Sequence, residues 1–236
     1  MLIKGLQKLT LLDYPGKIAC TLFLGGCNFR CPYCHNGSLV LPEIMGESIP
    51  VEDFLAFLDA RRGRLHGVCV SGGEPTLHSD LPELLAEIKA RGFEVKLDTN
   101  GTNPEMLLSL INDGLVDYVA MDIKNSPEKY LQTVGVNAEC RMQNAEFLLR
   151  GVKESASLLM QERVNFEFRT TLMKELHSAE DMHAVGQWLA GDEKLFLQTY
   201  RDEGDLIVGG FTSFTREETE ALLGILKEYI PNAEIR

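Results

Sequence analysis

This chain is poor in cysteine and in basic charge, and it has no long apolar run. Each shortage removes a class of function. With 23 Lys and Arg against 35 Asp and Glu, the net charge is -12, so broad binding to nucleic acid or an anionic membrane, which rewards basic patches, is not expected. No apolar stretch approaches the ~20 residues that span a bilayer, and the opening Met1-Leu2-Ile3-Lys4-Gly5-Leu6-Gln7-Lys8 lacks the apolar core and cleavage site of a signal peptide. The expectation is a cytoplasmic protein whose thiols stay reduced. Six cysteines in 236 residues do not make the disulfide framework of a small secreted domain. No repeat, low-complexity segment or linker divides the sequence. Residues 1–236 therefore read as one domain, long enough for one substantial core.

Three of the six cysteines fall within eight residues, in Cys27-Asn28-Phe29-Arg30-Cys31-Pro32-Tyr33-Cys34. Thiolates bind soft metal centres, and an iron–sulfur cube takes one Cys per iron. With no fourth Cys nearby, the spacing points to a [4Fe-4S] cluster with one iron open to a small molecule. A structural zinc is the alternative. It needs four closed ligands, and His35, next to Cys34, would have to chelate from the adjoining backbone position. A non-enzymatic zinc or electron-transfer protein stays open on this ground. Cys20, Cys69 and Cys140 are isolated in sequence. Cys20 and Cys69 lie in strand-like runs and read as small buried hydrophobes.

Strand and helix patterns alternate along the chain. Strands are expected at 17–24, 67–70, 93–97, 118–121, 164–172 and 194–200. Helices are expected at 51–58, where Val51, Phe54, Leu55 and Leu58 mark one face, and at 81–91, 104–112, 144–159, 179–189 and 216–229. Thr215 and Glu218 have the spacing of a capping box. Tyr14-Pro15-Gly16-Lys17 reads as a type II turn. Such alternation implies parallel pairing with right-handed crossovers. Six units are too few to close an eight-fold barrel, so the expected fold is α/β, a partial, open six-stranded parallel β/α barrel.

In such folds ligands bind at the carboxyl ends of the strands. Polar clusters stand at these ends: Ser71-Gly72-Gly73-Glu74-Pro75, Asp98-Thr99-Asn100-Gly101, Asp122-Ile123-Lys124 and Gln198-Thr199-Tyr200-Arg201. Each has a plain reading as a turn, a helix cap or a solvated ion pair. Three successive strand ends carrying such clusters favour a binding site. Arg169 belongs to it if its side chain points inward. Asp98 and Asp122 end consecutive strands, and two unit charges ~4 Å apart repel by about 4 kcal/mol at an effective dielectric of 20. Lys124 offsets one of them, so either a protonated Asp or a monovalent metal ion is expected, and the metal is preferred with Thr99 and the Ala120 carbonyl as further ligands. His66, His78, His177 and His183 are singletons that read as structural or surface residues.

The Cys-x3-Cys-x2-Cys run with Tyr33 before its last Cys resembles the signature of radical S-adenosylmethionine (SAM) enzymes, whose fold is a six-stranded open barrel. Together with Gly5-Leu6-Gln7-Lys8, Asp13-Tyr14-Pro15-Gly16-Lys17 and the segment from Gly25 to Asn36, it resembles one family in particular, the activating protein of anaerobic ribonucleoside-triphosphate reductase, a relative of pyruvate formate-lyase activase. The resemblance implies one [4Fe-4S] cluster on Cys27, Cys31 and Cys34. It implies SAM contacts from Tyr33, His35, Gly72, Gly73, Glu74, Asp98, Thr99, Asp122, Lys124, Arg169, Gln198 and Arg201, with the glycine-rich motif receiving the SAM amino group. Flavodoxin or ferredoxin would supply an electron. The SAM cleavage that follows would leave a glycyl radical on a partner enzyme. Related activases often place Tyr-His after the sixth strand, where the His reaches the ribose; this chain has Tyr200-Arg201. No side chain is expected as general acid or base. A radical SAM enzyme acting on a small molecule or another peptide is the nearer alternative.

Overall fold

A computed structural model describes residues 1–136, 142–191, 194–202 and 205–236, with the side chains of residues 142–145 left undescribed. Cys140 lies outside the described residues. Strand β1 (Ile3–Thr10) turns back through a loop closed by Lys17 N–H donating to the Tyr14 carbonyl over 3.1 Å, with Gly16 at φ 70°, the conformation the Pro-Gly turn requires. Strand β2 (Ala19–Leu24) pairs antiparallel with β1. A short helix, α1 (Gly37–Val40), and α2 (Val51–Asp59) precede β3 (Gly67–Gly72). Then α3 (Leu81–Ala90), β4 (Glu94–Thr99), α4 (Pro104–Asn112), β5 (Tyr118–Asp122), α5 (Tyr130–Thr133) and α6 (Met142–Leu159) follow. The chain continues through β6 (Asn165–Leu172), α7 (Ala179–Trp188), β7 (Leu195–Thr199), α8 (Arg216–Lys227) and β8 (Glu234–Ile235).

All eight strands form one sheet in sequence order, and every neighbouring pair from β2 to β8 is parallel. Sequential order means that each crossover adds its strand beside the last, which is how a β/α barrel wall grows. The six expected parallel strands are β2 to β7. The structure adds β1 and β8 at the two edges. The expected helices are all present, and the Thr215–Glu218 capping box forms, with a second one at Ser178–Asp181. Among the described residues no helix is long and apolar enough to cross a membrane.

Alternation along the strands separates two environments. Val95, Leu97, Val119, Met121, Phe166 and Phe168 belong to the hydrophobic core, packed with Phe54 and Leu58 of α2 and Leu84, Leu85 and Ile88 of α3. Lys96 and Glu167 alternate with them, and Asp98, Tyr118, Asp122 and Arg169 continue the same opposite faces. Lys96 pairs with Asp98, Tyr118 donates to Glu167 over 2.9 Å, and Arg169 pairs with Asp122. A charged network therefore lines the side of the strands turned away from that core, and its upper members meet the site described next.

Candidate active site

A cavity of about 260 Å³ opens at the carboxyl ends of the strands. Cys27, Cys31, Tyr33, Cys34, His35, Gly72, Gly73, Asp98, Thr99, Asp122, Lys124, Arg169 and Gln198 line it. Of the residues implied as cluster ligands or SAM contacts, only Glu74 and Arg201 stand off its wall. Glu74 is fully buried, and its carboxylate accepts from Thr76 N–H at 3.1 Å, the Thr76 hydroxyl at 2.6 Å, the Thr99 hydroxyl at 2.7 Å and Asn100 N–H at 2.6 Å. Burial pushes its pKa up, and those four donors pull it back. It braces the β3 loop against the end of β4. Arg201 meets the site through its backbone, its carbonyl lying 2.6 Å from His35 Nε2.

The cysteine loop is held on both flanks. Gly26 N–H donates to the Leu39 carbonyl and Arg30 N–H to the Val134 carbonyl, while Val208 N–H reaches the Pro32 carbonyl over 2.8 Å. Its three thiols are free and face one cavity. Burial raises the Cys27 thiol to about 11 and the Cys31 thiol to about 12, so loading a metal must displace protons. Among the described residues no three His, Cys, Asp or Glu are placed to hold one metal ion. Three thiols facing one cavity suit a cube that takes one sulfur per iron, whereas a structural zinc wants four closed ligands. Tyr33 lines the same cavity, and its buried hydroxyl has no hydrogen-bond partner among the described residues, a donor left for a ligand to satisfy. The residues present fit a cluster with a polar small molecule beside it.

The glycine-rich motif, whose Gly72 and Gly73 line the cavity, also packs backbone against backbone. A Cβ at Gly72 would lie 2.2 Å from the Leu24 carbonyl oxygen, and one at Gly73 would lie 2.0 Å from that of Gly26. Gly73 N–H and Glu74 N–H donate to those same two carbonyls, each over 2.8 Å. The glycines permit close approach of this loop to the backbone that carries Cys27. The Gly72 carbonyl also accepts from Asn36 Nδ2 at 3.1 Å.

Charge compensation at the strand ends is internal. Lys96 pairs with Asp98; Arg169 reaches Asp122 at 2.9 Å and Asp98 at 3.4 Å; Lys124 reaches Asp122 at 2.9 Å. Burial alone would raise the Asp122 carboxyl, but Arg169 and Lys124 outweigh it and lower the pKa to about 2. Burial is likewise overcome at Asp98 by Arg169 and Lys96. Both carboxylates therefore stay ionised, which corrects the alternative expectation of a protonated carboxyl at Asp98 or Asp122. That expectation counted Lys124 alone, whereas three cations face the two carboxylates. Thr99, expected as a further ligand, commits its hydroxyl to Glu74 and Gly101 N–H.

Sequence reasoning missed Lys96, which is 1% exposed, and a chain of amides tying the cysteine loop to the end of β4. Asn100 Nδ2 donates to Asn28 Oδ1 and Asn28 Nδ2 to the Thr102 hydroxyl, each over 2.8 Å. The singleton histidines are structural. His78 Nε2 lies 2.9 Å from the Gly25 carbonyl, His66 Nδ1 accepts from Ile18 N–H, His183 meets the Tyr229 hydroxyl and His177 ties down the Lys124 carbonyl. Cys20 and Cys69 are buried in their strands.

The radical SAM superfamily profile matches residues 21–171, from β2 through β6 and thus every cavity-lining residue listed above except Gln198. The chain belongs to the radical SAM superfamily. Radical SAM enzymes use a [4Fe-4S] cluster and SAM, and the three cysteines for that cluster stand together here. A Methanocaldococcus jannaschii protein named as a glycyl-radical enzyme activating enzyme is 34% identical over 242 aligned residues, covering 100% of this chain and 95% of that one. The pyruvate formate-lyase-activating enzyme of Listeria monocytogenes is 32% identical over 148 residues, 55% of this chain and 56% of that enzyme. In fold, SuiB from Streptococcus suis superposes with a TM-score of 0.67 at 14% identity, covering 92% of this chain and 48% of SuiB. This radical SAM enzyme is thus similar along its whole length to a glycyl-radical enzyme activating enzyme.

Proposed function

We propose that this chain is a cytoplasmic glycyl-radical activase whose partner is an anaerobic ribonucleoside-triphosphate reductase, with flavodoxin or ferredoxin as electron donor. The observation that carries the reading is the meeting of three free thiols with the ion-paired Asp98, Arg169, Asp122 and Lys124 in one cavity at the strand ends. Full-length similarity to a glycyl-radical enzyme activating enzyme supports the activase class. The segments Gly5-Leu6-Gln7-Lys8 and Asp13-Tyr14-Pro15-Gly16-Lys17, with the cysteine motif, support the reductase as partner.

Cys27, Cys31 and Cys34 would hold the cluster. Together with SAM it supplies one-electron reductive cleavage, ending in hydrogen abstraction from a glycine of the partner. The chain's own residues bind and orient. Lys124, already bonded to Asp122, presents an ammonium to a carboxylate, and Asp122 has lone pairs for a ribose hydroxyl. The Tyr33 hydroxyl is available as a donor. Asp98, Thr99, Arg169 and Gln198 complete the polar wall. The test is to mix anaerobically reconstituted protein with the candidate reductase, SAM and a reductant. The expected outcome is a glycyl doublet by electron paramagnetic resonance on the reductase. A doublet on a different glycyl radical enzyme would reassign the partner. No doublet on any would favour a small-molecule or peptide substrate.

A further inference from the structure

Lys96 is a fully buried cation that the proposed binding roles do not use. Its ammonium donates to Asp98 and lies 3.8 Å from Cys69 Sγ on the neighbouring strand β3. It does not line the cavity; Asp98, two residues on and so on the same face of β4, does. Asp98 is in turn held at 3.4 Å by Arg169, which bonds Asp122, which bonds Lys124. The five groups alternate in sign along one line, Lys96, Asp98, Arg169, Asp122, Lys124, and carry one net positive charge.

We infer that Lys96 is a positioning residue that acts as a built-in counter-ion, so that the cavity receives the SAM carboxylate without recruiting a monovalent metal ion. The inference rests on reading the cavity as the SAM site. A ligand carboxylate arriving beside Lys124 meets a network with one positive charge to spare, and the set becomes neutral. Without the Lys96 ammonium the same five positions carry no net charge, Asp98 keeps only the longer contact to Arg169, and the incoming carboxylate leaves the set negative. A buried carboxylate in that position needs a cation from elsewhere. The lysine stem fixes where the charge sits, as a diffusing ion would not.

The test is SAM binding to cluster-loaded protein by equilibrium dialysis, in potassium chloride and in tetramethylammonium chloride at equal ionic strength. Wild type should bind SAM equally in both. K96M, which keeps the volume and loses the charge, should bind roughly tenfold more weakly in tetramethylammonium and recover in potassium. K96M should also broaden the sodium-23 resonance beyond wild type, a signal of ion capture independent of SAM. In K96M/D98N neither charge remains, and binding should again ignore the ion. Potassium dependence in wild type overturns the inference, and this comparison decides alone should K96M fail to take up iron. Iron-loaded K96M that is as indifferent to potassium as wild type also overturns it. Lys124→Ala separates the two levels. Unchanged SAM affinity in that variant overturns the site reading and this inference together, while weakened affinity beside a potassium-dependent wild type overturns this inference only.

Discussion

Arg169 Nε donates to Asp122 Oδ1 over 2.9 Å, and the two residues are direct partners in the β5–β6 register. The guanidinium therefore needs no loop to place it; strand pairing does so. Its side chain is 15% exposed, so the pair sits in a partly dry setting where losing the guanidinium leaves Asp122 with Lys124 alone. Arg169→Met should destabilise the fold by about 3–5 kcal/mol, the usual cost of breaking a buried pair. Adding Asp122→Asn should recover part of the loss, since no half-compensated carboxylate then remains there. Anaerobic urea titrations measure both. A double variant less stable than Arg169→Met alone would mean that Asp122 is not the residue stranded.

The cysteine assignments predict a sharper pattern. Reconstituted protein should carry about four iron and four sulfide per chain. Alanine at Cys27, Cys31 or Cys34 should abolish the cluster, whereas Cys69→Ala should keep it, because Cys69 is buried in β3 away from the loop. Stoichiometric zinc without sulfide in protein purified anaerobically would overturn the cluster.

What the sequence showed, and what it hid, follows from how each residue signals its surroundings. Strands β2 to β7 are legible because long alternating units announce themselves. Strand β8 has two residues, too few for any period, and β1 is an edge strand whose burial is confined to its ends, Ile3 and Thr10. The cysteine loop and the strand-end clusters are legible because reactive residue types are rare and stand where parallel strands finish. Lys96 was hidden because a lysine in a strand ordinarily faces water. The clue was its distance of two from Asp98, which puts both on one face of a strand that is otherwise buried. The surroundings of Glu74 were hidden for the opposite reason. A carboxylate after a glycine pair looks available to a ligand, and only the fold shows that Thr76, Thr99 and Asn100 have already taken it.

The glycine packing makes Gly73 a sensitive position. Gly73→Ala would place a methyl 2.0 Å from the Gly26 carbonyl oxygen, a backbone atom that can move only by shifting the cysteine loop. Overpacking of this kind costs about 1–3 kcal/mol. Its distinguishing mark should be iron content, which should fall well below that of wild type. Gly63→Ala offers a control, since a Cβ there meets nothing within 4 Å, although its φ of 73° adds local strain. That variant should be mildly destabilised and keep its iron. Equal iron in all three proteins would show that the loop tolerates the displacement.

His177 sets the last prediction. It is buried, its Nε2 lies 3.0 Å from the Lys124 carbonyl and its Nδ1 3.3 Å from Met173 N–H. A neutral ring with the proton on Nε2 satisfies both, donating to Lys124 and accepting from Met173. Burial lowers its pKa, more than the Lys124 and Met173 carbonyls and Asp181 raise it. Below the ordinary histidine value of ~6.5 the unfolded chain then binds a proton that the folded chain refuses. Stability is accordingly full above that pH and falls as pH drops, by up to about 1.4 kcal/mol per unit, until the lowered folded pKa is reached. Anaerobic urea midpoints between pH 8 and 5.5 should show this slope in wild type. His177→Gln keeps a donor for the Lys124 carbonyl but cannot titrate, so its slope over the same window should be shallower by up to one proton. Parallel slopes for the two proteins would remove His177 as the source and leave the acid sensitivity to the carboxylates, whose lowered values place their loss nearer pH 2 to 4.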